Sequence, residues 1–273
     1  MIAVEKYFEA NRKHWDEVVP IHMASALYDV AAFKAGKSRL KPVEREELPD
    51  VRGNSLLHIQ CHFGLDTLCW AREGAIVTGI DFSQNALEAA RALADECGID
   101  ARFIHSDVYS LPEKLSEQFD IVFTSYGALC WLPDMERWAD VVAKFVKPGG
   151  TFYMVEFHPM SGVFDDGPQA TDLVVHYPYF PTGEPIRTED DGTYADREAR
   201  VENRLNYSWP HPTSEVISAL IDAGLRIESF HEFPFTTEPL WPFTEVKPDG
   251  TMRLTKYDGS VPLLYSVKAT KPA

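Results

Sequence analysis

Hydrophobic positions along this chain change their period several times, and each change predicts a different element. Residues 4–19 and 23–35 place apolar side chains at roughly helical spacing, which predicts a two-helix N-terminal extension. From residue 54 to 158, short apolar runs alternate with helical patterns. The runs predicted to be strands are LLHIQ, AIVTGID, ARFIHSD, FDIVFTSY and TFYMVEF. Strands joined by helical crossovers predict an α/β fold with a parallel sheet and helices on both faces.

The segments between the strands carry their own signals. The N-terminal extension is predicted to end in a polar connection, KPVEREELPDVRGN, that leads to the first strand. Helices are predicted from Gly64 to about Arg72, over NALEAARALADEC, and from Pro133 to Val146.

The pattern changes again after the fifth strand. Residues 159–212 are rich in Pro, Gly, Asp and Tyr, with short alternating runs that predict a β-hairpin insertion. A helix follows, with Thr213 or Ser214 as its N-cap and Gly224 at its C-terminal end, and then a strand. The last predicted strand is PLLYSVKAT.

Composition and charge narrow the class of protein. With 273 residues, 45% hydrophobic and 25% charged, the chain is typical of a soluble globular protein. It carries 26 Lys and Arg against 42 Asp and Glu and no basic block, so nucleic acid is not an expected partner. The N-terminal stretch lacks a long apolar run, so the cytoplasm is expected and a membrane is not. Free buried thiols, rather than a metal site or disulfides, are predicted for Cys61, Cys69, Cys97 and Cys130, because each lies in an apolar segment.

Polar side chains stand where the predicted strands end. In an open parallel sheet, ligands bind at the carboxyl ends of the strands near the switch in strand order. Asp81 lies one βα unit after the first turn, where a carboxylate accepts hydrogen bonds from both ribose hydroxyls. The alternative is that Asp81 only caps the helix beginning near Ser83. The other residues at strand ends are His58, His62, Asp107, Ser125, Tyr126, Glu156 and His158.

In this order and spacing, five segments resemble the motifs of the class I S-adenosylmethionine-dependent methyltransferases of the small-molecule type. The resemblance covers about residues 54–158 and continues more loosely through 213–270. It implies a Rossmann-like, doubly wound sheet of seven mostly parallel strands, with an antiparallel last strand and an N-terminal helical lid. The matching segments are LLHIQCHFG, VTGIDFS, FIHSDV, FDIVFTSYGALCWLPD and VKPGGTFYMVEF.

The resemblance implies S-adenosylmethionine as the cofactor and assigns residues to it. Gln60, His62 and Gly64 fall on the three glycine positions of the first motif, so Gln60 and His62 are expected beside the amino-acid end of the cofactor. His58 stands where the family usually has an acidic residue. The other expected contacts are Asp81 with the ribose, Phe82, Asp107 and Val108 with the adenine, and Ser125 after the fourth strand.

The residues of the first turn also favour one class of nucleotide-binding protein over another. A dinucleotide-dependent oxidoreductase would share Asp81 and the open sheet, but its glycines let the backbone approach a pyrophosphate. S-adenosylmethionine has no phosphate, so side chains at positions 60, 62 and 63 disfavour the oxidoreductase more than the methyltransferase. Loop packing is the alternative role for His62, and a local turn is the alternative for Asp107.

Aromatic residues and histidines are the candidates for the acceptor site. Tyr126 and Trp131 follow the fourth strand, where aromatic rings would attract a sulfonium by cation–π interaction. His158 and His211 are candidate general bases, because neutral imidazole accepts a proton near pH 7. Packing without a catalytic role is the alternative for each. The further candidates for contact with the acceptor are Trp15, His22 and Tyr28 on the N-terminal helices and Tyr177 and Tyr179 in the insertion.

The sequence therefore predicts a cytoplasmic enzyme that transfers a methyl group to a nitrogen, oxygen or sulfur atom of a small-molecule acceptor. Another reaction of the same cofactor, such as cyclisation, and binding without catalysis are alternatives, and nicotinamide-dependent oxidation is a less favoured one. The oligomeric state is open, with a homodimer among the alternatives. One domain is expected over residues 1–273: an N-terminal extension (1–50), a cofactor-binding core (54–158), an acceptor-side insertion (159–212) and a C-terminal part that completes the sheet (213–273).

Overall fold

The computed structural model describes residues 2–48, 50–248 and 250–273. The strands in these ranges are β1 (Ser55–Ile59), β2 (Ile76–Asp81), β3 (Arg102–His105), β4 (Phe119–Ser125), β5 (Val146–Phe157), β6 (Ile186–Glu189), β7 (Leu205–Ser208), β8 (Arg226–Phe233), β9 (Thr244–Val246), β10 (Met252–Leu254) and β11 (Leu264–Thr270). The α-helices are α1 (Ile2–Ala24), α2 (Val30–Lys34), α3 (Pro42–Glu47), α4 (Leu65–Arg72), α5 (Gln84–Cys97), α6 (Leu111–Lys114), α7 (Met135–Phe145) and α8 (Thr213–Asp222). No helix of the described ranges is long and apolar enough to cross a membrane.

The central sheet has seven strands in the order β3-β2-β1-β4-β5-β11-β8. The strands from β3 to β5 are parallel, whereas β11 pairs antiparallel with both β5 and β8. This confirms the predicted doubly wound sheet with an antiparallel last strand. Chain order reverses beside β1, so the carboxyl ends of β1 and β4 border the crevice in which such sheets bind ligands.

Alternate residues of each strand enter two hydrophobic cores, one on each face of the sheet. Leu56 packs in a core with Trp70 of α4, together with residues of α5 and the N-terminal extension. Leu57 packs in the other core with Trp138 of α7 and Leu220 of α8. The near-continuous apolar runs in the sequence thus reflect strands that are buried on both faces.

The N-terminal extension differs from its prediction at Pro20. The predicted break between residues 19 and 23 is wrong, because α1 continues through Pro20 to Ala24. A proline inside a helix leaves the carbonyl four residues earlier without its usual donor. Here that carbonyl belongs to Asp16, and it accepts a hydrogen bond from Asn85 Nδ2 at 2.9 Å. Packing of α1 against the start of α5 therefore satisfies the group that the proline frees.

The polar connection before β1 includes a short helix. It contains α3, which begins with Pro42 at its first position. Glu44 accepts a hydrogen bond from the Lys41 backbone N–H at 2.8 Å, as in a capping box. The apolar side chain of Val43 is buried against the core, which anchors this short helix.

The segments after β5 follow the prediction in outline. The insertion contains the two-stranded antiparallel sheet β6–β7, whose strands are short and widely separated in sequence. The predicted N-cap of α8 is wrong, because Pro212 occupies the cap and its carbonyl accepts from the Glu215 N–H. A second small hairpin, β9–β10, was not predicted. As predicted, Cys61 and Cys69 are free, buried thiols. Cys97 and Cys130 are also free, but the prediction that they are buried is wrong, because both are partly exposed.

Candidate functional site

The turn after β1 has the backbone shape of a glycine-rich loop, although side chains occupy two of its glycine positions. The φ angle is +60° at Gln60, +51° at His62 and +73° at Gly64. These values lie in the left-handed region, which glycine adopts freely and other residues adopt at a cost. The loop geometry is therefore retained with different side chains.

Packing explains why glycine persists at only one of the three positions. A Cβ atom on Gly64 would lie 2.7 Å from the Phe103 ring and 3.0 Å from Ala90 Cβ. Position 64 therefore cannot carry a side chain unless the buried Phe103 ring shifts. Gln60 and His62 instead line a cavity, which has room for their side chains.

Asp81, the last residue of β2, ties this turn to the neighbouring strand. Its Oδ2 accepts from the His62 N–H at 2.8 Å and its Oδ1 from the Ser83 N–H at 2.9 Å. Ser83, not Asp81, is the N-cap of α5. Burial raises the pKa of Asp81 to about 6, and the backbone donors oppose that rise. Since a carboxylate oxygen can accept more than one hydrogen bond, both oxygens keep capacity for ligand hydroxyls.

The residues predicted to contact adenine lie around the ends of β2 and β3. Phe82 is half-buried, and its carbonyl accepts from His105 Nε2 at 2.9 Å. Asp107 accepts from the Ser110 N–H at 3.0 Å, which is the local turn considered as its alternative role. Val108 is buried in the core between the sheet and α7.

A cavity of about 300 Å³ opens beside the first turn, within the range of small-molecule sites. Its walls come from the N-terminal extension, the ends of β1 and β4, the insertion and the segment after β8. The predicted site residues that line it are Trp15, Tyr28, Gln60, His62, Ser125, Tyr126 and Trp131. Six other predicted site residues are described by the structure but do not line the cavity: Gly64, Asp81, Phe82, Asp107, Val108 and His22.

A contact between two histidines, His22 of α1 and His62 of the first turn, connects the helix to the turn. His22 Nδ1 lies 2.9 Å from His62 Nε2, and the Tyr194 hydroxyl lies 3.5 Å from the same His22 nitrogen. Burial lowers the pKa of His22 to about 3 and holds that of His62 well below its usual value. Both rings are therefore neutral at pH 7, and loop packing, the alternative role for His62, is observed.

His58, in β1, lines the cavity and links three elements around it. Its Nδ1 lies 2.8 Å from Thr67 Oγ1 and its Nε2 lies 3.2 Å from Ser125 Oγ. Burial lowers the pKa of His58 to about 3, so this ring is a neutral hydrogen-bonding link between β1, α4 and β4.

Several residues of the cavity were missed by the sequence reasoning. Glu44 Oε2 accepts a hydrogen bond from the Tyr126 hydroxyl at 2.7 Å, and burial raises the pKa of Glu44 to about 7. Arg39 donates to Glu238 Oε1 at 3.0 Å. Pro42 is a sequence signal for the start of α3. The sequence does not indicate, however, that Glu44 rather than Glu46 or Glu47 is the glutamate that faces the cavity.

The candidate general bases lie outside the described cavity lining. His158 Nδ1 accepts from the Met160 N–H at 3.1 Å, and its Nε2 lies 2.9 Å from Glu232 Oε1. His211 Nε2 donates to the Leu132 carbonyl at 2.7 Å, and its Nδ1 lies 3.1 Å from Glu215. Both nitrogens of each ring are engaged by the protein, so the structure favours packing over proton transfer for His158 and His211.

Tyr177 and Tyr179 are likewise outside the lining that the described residues form. The Tyr177 ring packs 4.5 Å from His176, and the Tyr179 ring 5.0 Å from Phe180. The Tyr177 N–H bonds to the Val163 carbonyl, which fixes this stretch beside the segment that follows β5. From the insertion it is Tyr194, with Asp166 and Arg197, that reaches the cavity.

Comparisons with known proteins agree with this architecture. Residues 56–150 match the model of a methyltransferase domain family. The ubiquinone biosynthesis O-methyltransferase of Photorhabdus laumondii subsp. laumondii is 31% identical over 150 residues, covering 54% of this chain and 57% of the relative. The chain therefore spans little more than half the length of this curated relative.

Two solved structures share the fold at low sequence identity. A putative S-adenosylmethionine-dependent methyltransferase from Listeria monocytogenes superimposes with a TM-score of 0.59 at 16% identity, covering 84% of this chain and 95% of that chain. A glycopeptide N-methyltransferase complexed with S-adenosyl-L-methionine has a TM-score of 0.52 at 16% identity, with 85% and 86% covered.

Proposed function

We propose that the chain is a class I S-adenosylmethionine-dependent methyltransferase, which transfers a methyl group from S-adenosylmethionine to a nitrogen, oxygen or sulfur atom of a small molecule. The match of residues 56–150 to a methyltransferase domain, the similarity to a curated O-methyltransferase and the fold shared with solved structures support this proposal. The observation that carries this proposal is the left-handed backbone at Gln60, His62 and Gly64 beside the Asp81 carboxylate. The cavity that opens from this turn supports a small-molecule acceptor.

The residues around the turn suit the two ends of such a cofactor. Gln60 donates through Nε2 to the Ala128 carbonyl at 2.9 Å, and its buried Oε1 has no hydrogen-bond partner among the described residues. An α-ammonium group would supply the donor that this oxygen lacks. Asp81 would accept from the ribose hydroxyls, and Phe82 would pack against the adenine.

Transfer would depend mainly on the position of the acceptor. S-adenosylmethionine would supply an activated methyl group on its sulfonium sulfur, so the chain has to orient a nucleophile in line with it and exclude water. Trp15, Tyr126 and Trp131 line the cavity and would provide those walls. Glu44, which lines the same cavity behind the Tyr126 hydroxyl, is the group that we propose as proton acceptor, in place of His158 and His211.

Calorimetric titration with S-adenosylhomocysteine tests the cofactor assignment. We expect the wild type to bind it and not NAD, and Asp81→Ala to lose at least tenfold in affinity. Asp140→Ala, a carboxylate removed from the exposed side of α7, is the matched control and should bind as the wild type does. Unchanged affinity in Asp81→Ala would contradict the role of Asp81.

Incubation with S-adenosylmethionine separates the remaining alternatives. Mass spectrometry of reactions with and without a panel of small amines, phenols and thiols should show S-adenosylhomocysteine formed only with an acceptor. A cyclised product formed without acceptor would indicate the other reaction type. A cytoplasmic location and a monomeric or homodimeric state stay predictions.

A further inference from the structure

One wall of the cavity carries a buried ion pair that the proposed methyl transfer does not use. Arg39, between α2 and α3, donates through Nη2 to Glu238 Oε1 at 3.0 Å, and the two side chains are only 16% and 14% exposed. Glu238 lies between β8 and β9 and lines the cavity together with Arg39. Its second oxygen, Oε2, is buried and has no hydrogen-bond partner among the described residues.

We propose that Glu238 Oε2 binds a cationic amino group of the methyl acceptor. This inference rests on the proposed function and names the substrate class of the same site: a small amine with an aromatic or aliphatic body. The amino group is assigned here as the recognised group, whichever atom of the acceptor receives the methyl group.

An unpartnered carboxylate oxygen in a cavity wall points to a ligand that donates a hydrogen bond. A buried acceptor without a donor costs free energy, and the cost is larger for a charged group than for a neutral one. A charged donor forms a stronger bond with a carboxylate than a hydroxyl does, so an ammonium group is favoured over an alcohol.

Acidic and cationic side chains nearly balance in the cavity lining, so it is the unpartnered oxygen of Glu238, and not the net charge, that favours a cation. The lining contains four carboxyl groups and three cationic side chains, and burial raises the pKa of Glu44 to about 7. The carboxyl groups belong to Glu44, Asp66, Asp166 and Glu238, and the cations to Arg39, Lys41 and Arg197.

Two of the three cations already have partners. Arg39 also donates to the Leu27 carbonyl and lies 4.5 Å from the centre of the Tyr28 ring. Arg197 donates to the Asp166 carbonyl at 3.3 Å. Lys41, the third cation, acts on Glu238 electrostatically as Arg39 does, and both favour its charged form. An anionic acceptor would meet this carboxylate at Oε2, whereas an ammonium group would supply the donor that Oε2 lacks.

The rest of the wall suits the body of such an amine. Trp15, Tyr28, Trp131 and Tyr194 line the cavity, and the Trp15 and Trp131 rings lie 5.3 Å apart, edge to face. Aromatic faces attract a cation and also pack against an apolar body. The same wall thus provides one carboxylate for the amino group and several rings for the carbon skeleton.

A series of probes matched in shape tests the charge of the acceptor. Phenethylamine, 2-phenylethanol and phenylacetate are titrated by calorimetry into the protein saturated with S-adenosylhomocysteine, together with tryptamine, tryptophol and indole-3-acetate. We expect each amine to bind at least tenfold more tightly than its alcohol, and each carboxylate to bind most weakly. An alcohol or acid that binds as tightly as its amine, or no binding by either amine, would overturn the proposal.

Two variants separate recognition from a structural role of the ion pair. Glu238→Gln should lose at least tenfold in amine affinity and keep its affinity for S-adenosylhomocysteine within twofold. Glu232→Gln removes a carboxylate that is 49% exposed and pairs with His158, and it should change neither affinity. Unchanged amine binding in Glu238→Gln would also overturn the proposal.

Failure of the amine-binding proposal can be distinguished from failure of the proposed methyltransferase function. A wild type that does not bind S-adenosylhomocysteine contradicts the methyltransferase assignment, and the amine series is then read on the protein alone. If Glu238→Gln does not fold, the ranking of amine, alcohol and acid on the wild type decides the question by itself.

Discussion

His22 Nδ1 lies 2.9 Å from His62 Nε2, so a residue near the end of α1 is bonded to the middle of the turn after β1. His62 also packs against Trp15, with ring centres 5.3 Å apart. The first turn is thus shaped jointly by the sheet, through Asp81, and by the N-terminal helix. In a chain with glycine at position 62 the imidazole contact between α1 and the turn would be lost.

A double-mutant cycle should measure this link. Because a hydrogen bond between neutral groups contributes about 1 kcal/mol, His22→Ala and His62→Ala should show a coupling energy of that size in urea unfolding. His22→Ala combined with His105→Ala, an exposed histidine, should show none. Additive effects in the first pair would contradict the contact.

The same histidine predicts a pH dependence of stability. Burial lowers the pKa of His22 from 6.5 to about 3, so in this window the unfolded chain binds a proton that the folded chain does not. The free energy of unfolding should therefore fall as pH is lowered from about 6.5 towards 3. The dependence should be weaker in His22→Phe, measured by urea unfolding at several pH values.

Restoring glycine at position 60 should separate backbone strain from side-chain function. Gln60→Gly relieves a left-handed non-glycine residue, about 1 kcal/mol, and loses the hydrogen bond to Ala128, also about 1 kcal/mol, so stability should hardly change. Gln60→Ala keeps the strain and should be about 1 kcal/mol less stable than Gln60→Gly. Both variants should bind S-adenosylhomocysteine more weakly, because both lack Oε1. Full affinity in Gln60→Gly would remove Gln60 from the cofactor site.

Glu44 should make the fold less stable as the pH rises. Burial raises its pKa from 4.5 to about 7, so between these values the folded chain binds a proton that the unfolded chain does not. Stability should decline across that window, and Glu44→Gln, which can keep both hydrogen bonds, should lack this decline. The difference between the two proteins should grow to roughly 3 kcal/mol by pH 8. A difference that is constant with pH would show that Glu44 titrates normally.

Loss of either candidate histidine base should affect stability more than binding or turnover. His158→Gln and His211→Gln each remove hydrogen bonds of a buried ring and should cost about 1–3 kcal/mol in urea unfolding. Their affinity for S-adenosylhomocysteine and their rate with any acceptor that the screen identifies should stay within twofold of the wild type. A hundredfold loss of rate in one of them would restore it as a base.

The sequence predicts the sheet well because its signals are local. Strands buried on both faces are apolar throughout, so their number and order follow from runs such as FDIVFTS. The sequence also keeps a glycine at position 64, where the folded chain leaves no space for a Cβ atom. The helix through Pro20 is not, because the donor that compensates for the proline is on Asn85, distant in the chain.

The walls of the cavity are the part that sequence reasoning missed. Arg39 and Glu238 are 199 positions apart, and each occurs in a polar stretch with other charged residues. Nothing in either stretch indicates which charge turns inward. His158 and His211 are histidines near strand and helix ends in the sequence, but their burial and their partners are properties of the folded chain alone.

The residues that line the cavity come from two separate parts of the fold. Gln60 lies in the turn directly after β1 and Asp81 at the end of β2, whereas Trp15, Tyr194 and Glu238 lie on stretches outside the β1–β5 unit. Exchange of these outer stretches would leave the strand register untouched. If the proposed function holds, the acceptor side could therefore be redesigned by grafting these stretches, without rebuilding the turn and strand end that we propose for the cofactor.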